Sequence, residues 1–241
     1  MHLITLFTKL LNFLPGEISH HIALVGLKFL NSIGLLRLLL KTKLNLKQNT
    51  AERDIRNLTN QVGIAAGLDK NGDYIDCLAA LGIGFIEVGT VTPRPQHGNP
   101  KPRLFRVKKE KALVNRLGFN NKGVDYFVSK LKEKKSSVII GSSIGKNYDT
   151  PNDRAYKDYL LCLEKVYEYT DYIAINISSP NTKDLRELTH SEYFNELIRE
   201  LKSKQQELSN LHGYKPIFLK ISPDEDLSNL KKICNSIIEN K

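Results

Sequence analysis

The chain has 241 residues, 41% hydrophobic and 26% charged, an ordinary globular balance that excludes collagen-like and wholly disordered chains. Its three cysteines, Cys77, Cys162 and Cys234, form no close pair in sequence. That excludes a disulfide framework and any cysteine-built zinc or iron–sulfur site from this chain alone. The net charge of +10 suits an anionic small molecule, an anionic membrane surface or nucleic acid; with no zinc-finger spacing and no aromatic RNP-type motif, no nucleic-acid partner is expected.

In chain order, Leu3, Phe7, Leu10, Leu11 and Leu14 recur at helical spacing until Pro15-Gly16 breaks the pattern. A second helical run follows, Ile22, Val25, Phe29, Leu30 and Ile33, ending near Gly34. A third apolar stretch, Leu35 to Leu40, reads as a turn-rich piece. Residues 1–50 carry six lysines and arginines against Glu17 alone. Two readings of this extension fit: a helical pair lying on a membrane with its basic face wet, or a helical hairpin packed on the main body. A secretory signal fits poorly, because Pro15-Gly16-Glu17 is no cleavage site, and one Arg is too few for a transit peptide. No run reaches about 18 apolar residues, so no transmembrane span is expected.

From residue 60 onward, short β-like runs alternate with helix-length segments. The expected strands are Val62–Ala66, Phe85–Gly89, Val138–Ile144, Tyr172–Ile177 and Ile217–Ile221. The expected helices are Asp73–Leu81, Lys122–Lys134, Asp153–Tyr169, Ser191–Leu208 and Asp226–Ile238. This alternation predicts βαβ units and a parallel sheet. Polar residues follow every strand: Gly67-Leu68-Asp69-Lys70-Asn71, Gly89-Thr90, Gly145-Lys146-Asn147, Asn176 through Asn181, and Lys220. Strand ends of a parallel barrel converge on one face, where chemistry is housed. No G-x-G-x-x-G follows the first strand, which disfavours a dinucleotide fold.

The polar inventory is rich in amides and lysines: Lys70, Asn115, Asn147, Asn176, Asn181 and Lys220. Amides read both edges of a planar heterocycle, and lysines supply charge for a carboxylate. An isolated Asn more often caps a loop. A strand-end lysine such as Lys220 also admits a Schiff-base enzyme, a reading that leaves the amides unexplained. No metal site is expected.

Six blocks, in order, resemble the dihydroorotate dehydrogenases. They are Ala65–Gly72, Ile86–Gln96, Lys101–Arg106, Asn115–Asn121, Ile144–Asn147 and Ile173–Thr182. The serine in Ser178-Ser179-Pro180-Asn181, and Pro15-Gly16-Glu17-Ile18-Ser19-His20 in the extension, resemble the quinone-dependent, membrane-associated class 2 form. The resemblance implies an α/β chain of (β/α)8 TIM-barrel type, with about five of the eight βα units present, preceded by an N-terminal helical membrane-associating extension. Its divisions would be residues 1–45, the extension with the quinone tunnel, and 46–241, a partial FMN-binding barrel.

The implied reaction is oxidation of dihydroorotate to orotate, with FMN as hydride acceptor and ubiquinone or menaquinone as final acceptor, in pyrimidine biosynthesis. By resemblance Ser179 is the catalytic base. Lys70, Asn115, Arg116, Leu117, Gly118, Phe119, Asn176 and Asn181 would bind substrate. Ala66, Gly67, Leu68, Asp69, Lys70, Thr90, Ser143, Asn176 and Lys220 would hold FMN, and His20 and Arg106 would line the quinone site. Ser143 stands where many relatives carry Asn, so weaker flavin anchoring is expected there. The expected location is the cytoplasmic side of the cell membrane, peripherally attached through residues 1–45. With five strands counted, the chain is expected to be a fragment or truncated product of a longer enzyme. The alternative function is that of a non-catalytic fragment associating with the membrane surface.

Overall fold

The computed structural model describes residues 10–40, 55, 58, 60–182, 185–190 and 192–240. Its centre is a parallel sheet of β1 (Gly63–Ile64), β2 (Phe85–Val91), β5 (Ile139–Ile144), β6 (Tyr172–Asn176) and β7 (Ile217–Lys220). Each strand lies beside the one before it, in the order β1-β2-β5-β6-β7, and every pairing is parallel. A doubly wound sheet reverses its order at a switch point; this one never does, which is barrel winding. Among the described strands, β1 and β7 are the two edges.

The crossovers are α3 (Ile75–Ala79), α4 (Val124–Glu133), α5 (Ala155–Tyr167) and α6 (Tyr193–His212), and α7 (Leu227–Glu239) follows β7. All five expected strands and helices are present. β1 and α3 are shorter than expected, and the expected start of α6 at Ser191 lies outside the described residues.

Alternation along the strands explains the two faces of the sheet. Ile86, Val88, Ile140, Ile173 and Ile175 are fully buried, in one core with Phe127, Leu163, Val166 and Leu197 of the helices. The other face turns inward. There the Tyr172 ring lies over Gly141, and a Cβ on that glycine would stand 2.0 Å from the ring. Phe218 meets Tyr172 edge-on at 5.4 Å, closing a layer of aromatic side chains below the strand ends.

The sequence reading missed a hairpin. β3 (Leu104–Val107) and β4 (Ala112–Asn115) pair antiparallel, with Leu104 opposite Asn115 and Val107 opposite Ala112. These strands are short, interrupted by Arg106, and largely exposed, so they carry little hydrophobic signal.

The N-terminal segment also differs from expectation. Helix α1 (Gly16–Ser32) begins directly after Pro15 rather than near Ile22. A proline ahead of the first turn forfeits no intrahelical bond, so it starts this helix. Leu35–Leu40, expected to be turn-rich, is helical (α2). The first predicted helix, Leu3 to Leu14, and the division near residue 45 fall mostly outside the described residues. α1 packs on α3 and β3, burying Ser19 and Leu24.

Candidate functional site

Two backbone bonds join the ends of β1 and β2: Gly67 N–H donates to Gly89 O at 2.8 Å, and Gly89 N–H to Asp69 O at 3.0 Å. Asp69 is 2% exposed, and its carboxylate accepts the N–H groups of Asn71, Asp73 and Tyr74 at 3.4, 3.0 and 2.8 Å. Burial pushes its pKa up against those bonds. The Asp69 side chain therefore shapes the strand-end loop, leaving backbone and Lys70 to face a ligand. Lys70 is half-buried and donates to Gly67 O at 2.8 Å. Burial depresses its pKa, with Glu17 the largest opposing influence.

The register of β2 on β5 slips between Gly89 and Val91, leaving Thr90 as an extra residue. Such a bulge re-aims a side chain. Gly89, at φ +113°, is required here, because a Cβ would stand 2.4 Å from Ser143 O. Thr90 Oγ1 lies 2.9 Å from Ser143 Oγ and accepts from Asn176 Nδ2 at 2.7 Å. Three strands thus contribute to one buried hydrogen-bonded arc. Asn176 is oriented at every other point: its Oδ1 accepts from Ser178 N at 3.1 Å and Ser178 Oγ at 2.8 Å. Its backbone carbonyl accepts from the fully buried Tyr159 hydroxyl at 2.9 Å. Ser143, expected to anchor weakly, has its hydroxyl engaged with Thr90.

Asn147 is different. Its Nδ2 donates to Thr92 Oγ1, Arg94 O and Gln96 Oε1, while its Oδ1 accepts Arg94 N–H at 3.1 Å. Both ends of the amide brace the loop after β2, the ordinary capping role of an Asn. Asn121, which sequence reasoning did not single out, braces the same loop through Thr92, Phe119 and Gly123.

The hairpin carries Asn115 toward the loop after β6. Asn181 Nδ2 approaches Asn115 O at 3.5 Å, and Asn181 N–H donates to Ser179 Oγ at 3.2 Å. Ser179 is half-buried. Three residues on, Thr182 is buried and its hydroxyl has no hydrogen-bond partner among the described atoms. Leu117 N–H donates to Asn115 Oδ1, and Gln96 Nε2 to Gly118 O. A Cβ on Gly145 would meet Thr90 Cγ2 and the Phe119 ring at 2.9 and 3.0 Å, which sets Phe119 beside the arc. The Arg116 guanidinium is turned to Pro102 O, 2.9 Å away.

At the far edge Lys220 is exposed and its carbonyl accepts from Ile177 N–H at 3.2 Å. It faces Glu87, whose carboxyl burial pushes up and Lys220 pulls down. Glu87 lies 3.5 Å from the Tyr172 hydroxyl.

His20 and Arg106 lie on the α1 side. Arg106 donates to Leu14 O at 2.5 Å and to Ser19 Oγ, tying β3 to the start of α1. His20 lies against the Leu68 carbonyl and near Lys70, and burial lowers its pKa.

Lysines at opposite edges of the mouth and a fixed amide between them suit a flat ligand carrying carbonyls and negative charge. A family model described as dihydroorotate dehydrogenase matches residues 46–240. This chain belongs to the dihydroorotate dehydrogenase family. It is 55% identical over 182 residues to dihydroorotate dehydrogenase (quinone) of Vibrio parahaemolyticus, an alignment covering 75% of this chain and 54% of that protein. With the protein of the same name from Buchnera aphidicola it is 49% identical over 239 residues, covering 98% of this chain and 70% of that protein. A crystal structure of DHODH from Eimeria tenella in complex with ferulenol superposes with a TM-score of 0.72 at 32% identity, covering 93% of this chain and 64% of that one. The chain spans about half the length of the Vibrio relative (54%), and its sheet comprises consecutive βα units of the family's barrel.

Proposed function

We propose that this chain takes part in the oxidation of dihydroorotate to orotate, with FMN as hydride acceptor and a quinone as final electron acceptor. The observation that carries this reading is the meeting of two loops at the strand ends. The hairpin brings Asn115 to Asn181, and Asn181 holds Ser179 through its backbone N–H. A candidate base would therefore share the strand-end mouth with the fixed Asn176 amide and Lys70.

The residues fit the flavin in kind. Among the described residues Lys70 donates to one acceptor, Gly67 O, and an ammonium has three donors. Ala66 through Lys70, Thr90, Ser143, Asn176 and Lys220 would hold FMN, which when bound accepts the hydride from C6 of dihydroorotate. Lys70, Asn115, Asn176 and Asn181 would bind the substrate carboxylate and ring amides, with the Asn115–Phe119 segment lying over them. Ser179 Oγ would take the C5 proton. A serine hydroxyl is a weak base near neutral pH and needs an onward proton path. The buried Thr182 hydroxyl, without a hydrogen-bond partner among the described residues, is the candidate next acceptor.

We place the chain peripherally on a membrane, on the cytoplasmic side. Ile18, Ile22, Val25 and Phe29 form an exposed apolar stripe on α1, continued by Ile33 at its C-cap, on the side away from buried Ser19 and Leu24. Among the described residues no helix is long and apolar enough to cross a membrane. A helix apolar on both sides suits the boundary between protein and lipid. His20 and Arg106, between this helix and the strand ends, would line the quinone path.

The test is the visible spectrum of the gel-filtered chain, alone and with added FMN. A bound-flavin spectrum bleached anaerobically by dihydroorotate is expected. A protein that stays colourless with FMN overturns the reading for this chain on its own.

A further inference from the structure

Two consecutive side chains near the start of α5, Asp158 and Tyr159, reach different parts of the strand-end site. Asp158 Oδ2 accepts Asn147 N–H at 2.8 Å and the Thr150 hydroxyl at 2.7 Å, so it holds the loop after β5. That loop braces the loop after β2 through the Asn147 amide. Tyr159 goes elsewhere. Its side chain is fully buried, and its hydroxyl donates to Asn176 O at 2.9 Å. Consecutive helical residues lie about 100° apart round the axis, so one helix end serves both places.

The place of that carbonyl gives the bond its meaning. The pairing of β5 with β6 ends at Ile144 and Ile175, and Asn176 stands one residue beyond the last pair. Asn176 is buried, and a buried carbonyl left without a donor costs stability. The Tyr159 hydroxyl serves as the donor there. Burial pushes its pKa up, so it stays protonated and donating. The same Asn176 carries the amide that donates to Thr90 Oγ1 at 2.7 Å and accepts from Ser178 Oγ at 2.8 Å. Holding the carbonyl fixes the peptide plane that leaves β6, and with it the start of the loop that leads to Ser178.

We propose that Tyr159 is a positioning residue of the strand-end site: from the helix layer, its hydroxyl holds the last carbonyl of β6 and so sets the direction in which the Asn176 amide is presented. Asp158 beside it fixes a brace and leaves that amide alone. This rests on the proposed function only in the choice of FMN as ligand. The aim of the amide is then set from α5 as well as from the strands.

The test compares Tyr159→Phe with Asp158→Ala in the full chain. The first readout is the 15N side-chain amide signal of Asn176 without flavin, assigned by Asn176→Ala. Tyr159→Phe is expected to shift that signal and to speed its hydrogen exchange about five- to tenfold, the worth of one neutral hydrogen bond. Asp158→Ala is expected to lower the unfolding midpoint and leave the signal in place. Equal changes in the two variants would mean general loosening and overturn the proposal, as does an unmoved signal in Tyr159→Phe. Tyr159→4-aminophenylalanine restores a donor and is expected to return the signal toward the parent; a signal that stays with the Phe variant's overturns the proposal. Should Tyr159→Phe fail to fold, Tyr159→4-fluorophenylalanine, which fills the hydroxyl's space without donating, takes its place. The second readout is FMN affinity by fluorescence titration, expected to weaken about five- to tenfold in Tyr159→Phe and to stay within about twofold in Asp158→Ala. Parent-like affinity in Tyr159→Phe overturns the proposal. A parent that binds no FMN tells against the proposed function and leaves the amide result standing.

Discussion

The strand ends of β2, β5 and β6 and the helix–hairpin layer above them are built on opposite principles. At the strand ends, Thr90, Ser143 and Asn176 are buried and spend their polar atoms on one another or on adjoining loops. In the layer above, Phe29 on α1 is 61% exposed and Leu113 on the hairpin 63%; Arg103 and Arg106 tie the hairpin side to α1, and Lys28 of α1 donates to Asp73 O ahead of α3 at 2.9 Å. The first region is fixed by packing, where every displacement breaks a hydrogen bond in a low-dielectric setting. The second is held by a few charged contacts and a narrow buried stripe, so fewer buried bonds fix its position. A flat ligand would lie between a rigid floor and an adjustable cover.

Changes to the floor should have the largest effects. Gly141→Val places branched carbons where the Tyr172 ring lies, and interior overpacking of this kind costs about 1–3 kcal/mol or more. Phe127→Ala empties a fully buried site between α4 and the sheet, at about 3–5 kcal/mol. Denaturant unfolding should show both as a lower midpoint with an unchanged slope. A parent-like midpoint for Gly141→Val would show that the aromatic layer below the mouth is loose, and would undo the contrast between the two regions.

Asn176→Ala comes next. It leaves Thr90 Oγ1 without its amide donor and Ser178 without its acceptor, a loss of about 1–3 kcal/mol for buried groups left unpaired. The same substitution should abolish FMN retention on gel filtration while the far-ultraviolet circular dichroism is kept. Asn147→Ala, which unbraces the loop after β2, should lower stability comparably but retain flavin. Equal flavin loss in both would mean that the two amides do one job.

This division was only half legible in the sequence. The barrel strands were visible because Tyr172–Asn176 is a nearly continuous apolar run, the mark of a strand covered on both faces, and because Phe85–Val91 opens on alternating apolar residues that are buried on one face. Strand order predicts that strand-end residues share one face, and Thr90, Ser143 and Asn176 meet there. The hairpin was hidden because Arg106 and Lys108 to Lys111 dilute its apolar residues. Its role in carrying Asn115 to Asn181 depends on a long-range contact that no local pattern encodes. Asn147 and Asn176 look alike in sequence, each at a strand end. Only their partners separate them: one amide faces three loop acceptors, the other a strand hydroxyl. Glu17 stands out in the sequence as the single acid of the first fifty residues, but its pairing with Arg103 is a long-range contact that no local pattern encodes.

Predictions for the cover are smaller and concern attachment. Phe29→Ser and Ile22→Ser remove apolar surface that touches no core, so the unfolding midpoint should move by less than about 0.5 kcal/mol. Each forfeits part of the roughly 1.5–3 kcal/mol that burying such a side chain provides. Binding to anionic vesicles in a flotation assay should therefore weaken by up to about tenfold per substitution. Vesicle binding equal to the parent's would turn the stripe on α1 toward a protein partner instead of lipid.

The subtlest effect concerns pH at the seam between floor and cover. Burial depresses the pKa of His20 below its ordinary value, with Lys70 and His21 acting in the same direction and Glu17 and the Leu68 carbonyl against it. A histidine whose folded pKa is lowered binds protons more readily when unfolded. Its contribution to stability is intact above the ordinary histidine range near 6.5 and is lost as pH falls from there through the depressed folded value. The loss should appear first as release of α1, because His20 sits on that helix against the Leu68 carbonyl. Thermal melts of the parent and of His20→Gln, taken from pH 7.5 down to pH 5, should converge as the pH falls, with the variant showing the shallower acid slope. Limited proteolysis should cut near α1 sooner in the acidified parent than at pH 7.5, and this acceleration should be smaller in the variant. Parallel melting curves across that range would mean that His20 titrates freely in the docked state, and that the seam between helix and barrel is open to water.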